Sequence, residues 1–134
     1  MLPAFDEFGL LPPGIHKCTV SELIERFGSG SGERIVEMSE LSQFIEAARI
    51  AGARRLLVNG SFVTNKLAPN DVDVVILPSA SSPGPMKRLD DDELVWSFLQ
   101  IIVAADDADF EAWANLQFAT DRNKRPNGVV EVQL

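Results

Sequence analysis

Leu56-Leu57-Val58-Asn59-Gly60-Ser61 and, after nine intervening residues, Asp71-Val72-Asp73-Val74-Val75-Ile76 are the two stretches on which the fold of this chain turns. An apolar run ends in Gly-Ser, and a second apolar run opens with carboxylates at i and i+2. Side chains at i and i+2 of a strand share a face. Asp71 and Asp73 are therefore expected to project together, with Val72, Val74 and Ile76 pointing the other way into a core. Two carboxylates fixed side by side suit one hard divalent cation, and magnesium binds through one or two carboxylates completed by phosphate oxygens. Gly60, with no side chain, lets the backbone approach a phosphate closely. Ser61 is expected to cap a short helix whose first N–H groups face an anion.

The flanks supply the elements that carry these two runs. Residues 1–18 read as an irregular leader, because Pro3, Pro12, Pro13 and Gly14 break regular structure. Thr19 with Glu22 forms a capping-box pattern and starts a short helix over Val20 to Phe27. The segment from Gly28 to Gly32 is a turn. Glu33 to Ala51 is a helix with Ile35, Met38, Leu41, Ile45 and Ala48 on its inner face, stopped at Gly52. Arg55 to Val58, Asp71 to Leu77, Phe98 to Val103 and Val129 to Val132 read as strands. Residues 78–89, rich in Pro and Ser, read as a long loop, and Asp90 to Trp96 as a short helix. Asp109 to Ala119 is an amphipathic helix presenting Phe110, Trp113, Ala114 and Phe118, and Asp121 to Asn127 a polar turn. The fold class is α/β (α+β): one domain, a mixed sheet of about four strands with helices packed on it.

Composition narrows the function. The chain has 134 residues and ordinary globular composition, enough for one real core. No apolar run approaches the roughly 18 residues that span a bilayer, so no membrane is expected as a partner. The first residues lack the basic and apolar regions of a signal peptide. A single cysteine, Cys18, excludes an internal disulfide or a cysteine cluster, and one histidine makes zinc ligation unexpected. A cytoplasmic setting is expected. The net charge of −8 argues against long nucleic acid, whose binding rests on a basic surface. A single nucleotide, offset by metal and one or two cations, remains compatible.

The spacing of Asn59-Gly60-Ser61 and Asn70-Asp71-Val72-Asp73-Val74 resembles the signature of the polymerase-β-like nucleotidyltransferase superfamily. The leader Leu11-Pro12-Pro13-Gly14-Ile15-His16, the run Gly60 to Thr64 with Lys66 after it, and the Gly-Val-Val from Gly128 resemble a narrower group of small bacterial nucleotidyltransferase-like domains. The resemblance touches most of the chain, but its chemistry rests on residues 60–73. It implies a nucleotidyltransferase-like sheet and a nucleoside triphosphate bound with Mg2+ or Mn2+. Asp71 and Asp73 would be catalytic metal ligands, with Gly60, Ser61 and Lys66 at the phosphates. The implied reaction is transfer of a nucleoside monophosphate to a hydroxyl acceptor.

In that superfamily a third acid on the next core strand helps to activate the hydroxyl. Here the strand reads Phe98-Leu99-Gln100-Ile101-Ile102-Val103. Run antiparallel to residues 71–77, its far end would bring Asp106 or Asp107 to the pair, and Asp106 is the assignment that completes a catalytic set. Run parallel through a helical crossover, it would instead offer Gln100 or Ser97. Glu131, on the last strand, is a further candidate. Larger relatives carry an acceptor-selecting domain, so the resemblance implies that a homodimer partner or another protein completes the site. The alternative is a non-catalytic nucleotide-binding or protein-interaction module, antitoxin-like, that keeps the fold.

Other side chains carry quieter expectations. Lys87 is a second candidate for phosphate contact, His16 is expected to make a structural hydrogen bond, and Asp90 to Glu93 to start a helix. Trp96 and Trp113 are expected in the core or an interface. The leader's Leu2, Phe5, Phe8, Leu10, Leu11 and Ile15 are too apolar to stand in water and must pack on their own domain or on a partner.

Overall fold

Thr19 accepts a hydrogen bond from the Glu22 amide at 3.1 Å while Glu22 returns one to the Thr19 amide at 3.2 Å, and this reciprocal pair opens the first helix. The computed structural model describes residues 2–79, 96–117 and 125–134. In chain order the elements are β1 (Gly14–Cys18), α1 (Val20–Phe27), α2 (Gly32–Ile50), β2 (Ala53–Asn59), a 3-10 turn (Ser61–Val63), β3 (Val72–Pro78), β4 (Leu99–Val103), α3 (Asp107–Ala112), a π-helical turn (Trp113–Gln117) that continues it, and β5 (Gly128–Val132). The expected short helix at 90–96 except for Trp96, most of the loop at 78–89 with Lys87, Phe118 and most of the turn at 121–127 lie outside the described residues.

The strands form one mixed sheet in the order β1-β5-β2-β3-β4. β1 pairs parallel with β5, β5 antiparallel with β2, β2 antiparallel with β3, and β3 parallel with β4. The α/β class with helices on a mixed sheet is as expected, but the sheet has five strands among the described residues, not about four. The extra one, β1, falls within residues expected to be irregular. Pro12 and Pro13 do interrupt regular structure, but the chain pairs from Gly14 onward, and its partner is at the far end of the sequence. His16 Nε2 donates to the Pro12 carbonyl at 2.6 Å, the structural bond expected of it.

Each face of the sheet carries a core. On one, Val72, Val74, Ile76, Leu56, Val58 and Val130 meet Leu23 and Phe27 of α1 and Met38, Leu41, Phe44 and Ile45 of α2. Trp96 packs edge-on against Phe44, with ring centroids 5.1 Å apart. On the other face Leu57, Val75, Leu77 and Val129 pack under Phe110 and Ala114 from α3 and the turn after it. α2 ends as expected, with Gly52 at φ +90° donating to the Arg49 carbonyl. Met38, Leu41, Ile45 and Ala48 are buried on its inner face as expected, but Ile35 is 57% exposed, and Arg34 and Glu37 are buried in its place.

The leader packs on its own domain. Leu2, Leu10 and Leu11 are buried, and the Phe5 ring lies tilted 6.0 Å from Phe27 beneath the Arg26 guanidinium, whereas Phe8 is 51% exposed. Among the described residues no helix is long and apolar enough to cross a membrane. Gly128 fastens leader to sheet: its amide donates to the Leu11 carbonyl at 2.9 Å, and a Cβ there would meet the Pro12 carbonyl oxygen at 2.2 Å and the His16 ring at 2.8 Å. Gly128→Ala is expected to cost about 1–3 kcal/mol through overpacking against backbone. Urea denaturation checks this.

Candidate functional site

The end of β2 shapes the site. Asn59 is its last residue, and Gly60 follows at φ +83°, ψ −165°, a conformation that favours glycine. A Cβ at Gly60 would lie 2.5 Å from Asp73 Oδ2 and 3.3 Å from Asp73 Cγ. Having no side chain at residue 60 therefore lets the Asp73 carboxylate settle over the backbone. Ser61 does not cap a helix as expected. It opens a turn of only three residues with Gly60 in the capping position and no side-chain capping bond. Instead its carbonyl accepts from the Thr64 amide at 3.3 Å and from Thr64 Oγ1 at 2.7 Å.

β3 positions the acids. Asp73 pairs with Asn59 across the strands and with Gln100 on the other side. Val72, Val74 and Ile76 occupy the helix α1–α2 face, so strand alternation puts Asp73 on the opposite one, with Asp71 beside it in the same alternation. Burial first, and then the charge of Asp71, push the Asp73 carboxyl up from 3.8 to about 6. Gly60, Ser61, Asp71 and Asp73 are thus brought to one end of the sheet.

A buried arginine holds the loop between the two halves. Arg34 donates to four main-chain carbonyls: Phe27 at 3.1 Å, Phe62 at 2.8 Å, Thr64 at 2.6 Å, and Lys66 at 2.9 and 2.7 Å. Its guanidinium also lies 5.3 Å from the Phe62 ring centre. Lys66 is therefore fixed by its carbonyl, while its residue stands exposed on the loop. Ser31 adds a bond to the Leu67 carbonyl. Glu37, one turn after Arg34, is 2% exposed, and its Oε1 has no hydrogen-bond partner among the described residues. Burial raises its pKa, Arg34 opposes this, and the charges of Asp71 and Glu33 add to it.

The third acid is corrected. β4 runs parallel to β3, so Gln100 faces Asp73, whereas Val103 lies beside Ile76, three residues or about 10 Å further along the strands. Asp106 follows Val103 and belongs to the opposite end of the sheet. There it caps α3, accepting from the Asp109 amide at 2.8 Å. Asp107 is likewise at that end, paired with Arg54 at 3.2 Å. Glu131 is taken by Arg55 through two bonds of 2.9 and 2.7 Å, and Arg55 also reaches Glu111 at 2.8 Å and lies over Phe110. That network ties α3 to the sheet. Among the described residues no three His, Cys, Asp or Glu side chains gather as a metal-holding group.

Sequence reading missed Arg34, Glu37 and Asn59. A cation in the first turn of a helix opposes the macrodipole, so Arg34 needed another reason to be there. Asn59, 3% exposed at the end of an apolar run, is out of keeping with its neighbours. Glu37 gave no such signal.

No curated protein and no solved structure matches the chain. A family model described as "Family of unknown function (DUF6932)" matches residues 3–133, from the leader through β5. The chain belongs to that family.

Proposed function

We propose that this domain binds a nucleoside triphosphate with Mg2+ or Mn2+ at the Gly60–Asp73 end of its sheet, in a nucleotidyltransferase-type site. Asp71 and Asp73 would hold the cation. The Gly60 backbone, with Ser61 and Lys66 nearby, would face the phosphates. The observation that carries this is the closure of the Asp73 carboxylate over Gly60, which a single methyl group would block. The donors are carboxylate oxygens, which suit a hard divalent ion, and two of them leave coordination positions for phosphate oxygens. Bound there, such an ion would neutralise phosphate charge.

Between transfer and binding, the geometry favours binding. Gln100 stands where the parallel strand would carry a third acid, and an amide does not take a proton from an attacking hydroxyl. The domain is thus a nucleotide-binding module, and its cytoplasmic setting and any protein partner or homodimer belong to the same proposal. Calorimetry with each nucleoside triphosphate, with and without magnesium, is expected to show binding that requires the metal. α-Labelled triphosphates incubated with lysate proteins are expected to leave no label on any acceptor. Label transfer that Asp73→Asn abolishes would establish the transferase reading instead, and no metal-dependent binding at all would sink the site.

Gly60→Ala tests the closure directly. The added Cβ must displace Asp73, and the φ of +83° is strained for alanine. Metal-dependent nucleotide affinity is expected to fall at least tenfold, about 1.4 kcal/mol, as read by calorimetry. With a charge of −8, the protein is expected to show no submicromolar affinity for DNA or RNA at physiological salt, as read by fluorescence anisotropy.

A further inference from the structure

We propose that Asn59 Oδ1 is a third oxygen ligand of the divalent cation held at Asp71 and Asp73. This rests on the reading of those two carboxylates as cation ligands. Asn59 is 3% exposed, and its Oδ1 is buried with no hydrogen-bond partner among the described residues. Buried amide oxygens in native structures are nearly always satisfied, so one without a partner calls for a ligand. Its position says which ligand. Asn59 lies directly across from Asp73 in the antiparallel ladder, and directly opposed residues have Cβ atoms about 4.5–5.5 Å apart on one face. Asp73 leans back toward the same segment, its Oδ2 reaching the space where a Gly60 Cβ would lie. The strand end therefore gathers one amide oxygen and the carboxylate oxygens of Asp73 and its neighbour Asp71.

Chemistry favours the amide. Hard divalent cations accept Asn carbonyl oxygens alongside carboxylates. Two carboxylates already balance the ion's charge, and a neutral third donor adds coordination without burdening the metal-free protein with a third mutually repelling anion, although a carboxylate there would attract the cation more strongly. Gln100, the other strand neighbour of Asp73, is exposed and has no comparable need. A leucine at residue 59 would match the apolar run before it, so the asparagine is not there for packing.

The test titrates Mn2+ alone into the full chain, with free ion read by electron paramagnetic resonance. Wild type is expected to bind one Mn2+, and Asp73→Asn to lose it. Asn59→Leu, close in volume but without the oxygen, is expected to weaken Mn2+ at least tenfold while the metal-free protein melts no lower. Asn59→Asp is expected to tighten it several-fold. A purely structural Asn59 would leave Mn2+ affinity in Asn59→Leu within twofold of wild type, and that result overturns the proposal while leaving the Asp71–Asp73 site standing. Should Asn59→Leu fail to fold, Asn59→Asp binding no tighter than wild type overturns it. If wild type binds no Mn2+, both the proposal and the reading beneath it fall.

Discussion

Asp73→Asn is expected to abolish metal-dependent nucleotide binding and, at neutral pH without metal, to raise the melting temperature. Both effects have one cause. The folded protein holds the Asp73 carboxyl at about 6 against 3.8 for the free side chain, because burial and the Asp71 charge disfavour the anion. A group whose folded pKa is raised contributes stability that is fully present below the unfolded value and is lost as pH rises through the folded one. The contribution is thus full below 3.8 and gone above about 6. Asparagine mimics the protonated form at every pH. The advantage of the variant over wild type should accordingly be absent at the acid end of that window and grow across it, reaching a few degrees at neutral pH, the shift that ~1 kcal/mol gives a chain of this size. Magnesium reverses the sign, since it needs the anion: it should raise the melting temperature of wild type and leave the variant unmoved. Thermal melts across the window, with and without magnesium, check both halves. A variant that melts below wild type in metal-free neutral buffer would contradict the burial argument.

Arg34→Ala is expected to have the largest effect on stability of any single change in the described residues. One guanidinium satisfies the carbonyls of Phe27, Phe62, Thr64 and Lys66. Truncation leaves those acceptors without a donor and opens a gap beside Phe27 and Phe62. Charged hydrogen bonds contribute about 1.5–3 kcal/mol each, and a buried acceptor left without a partner costs about 1–3 kcal/mol. Glu37 adds to the loss, because Arg34 is the charge that offsets its burial. Arg34→Lys keeps the charge but not the planar fork, so it should recover only part of the stability. Urea denaturation gives the magnitudes. Hydrogen exchange in Arg34→Lys should show lost protection confined first to residues 62–66, the loop joining the two halves of the site.

Local chemistry was enough for the elements whose signals are close in sequence. The Thr19–Glu22 box and the Gly52 stop bounded α1 and α2, and alternation along Asp71 to Ile76 set which side chains enter the core, since each depends on contacts within one turn or one strand. The Gly-Ser and Asp-x-Asp runs marked the end of the sheet where the acids meet. What needed tertiary structure was every pairing between distant segments. Whether β4 runs with β3 or against it is not written in either strand, and only that direction removed Asp106 and set Gln100 beside Asp73. β1 was illegible because its partner β5 lies at the other end of the chain, and an edge strand after two prolines has no local pattern of its own. Sequence reading assigned Arg34 and Asn59 no role of their own. The fold buried both, and burial is what turns a polar side chain into a hydrogen-bond hub or an oxygen in need of a ligand.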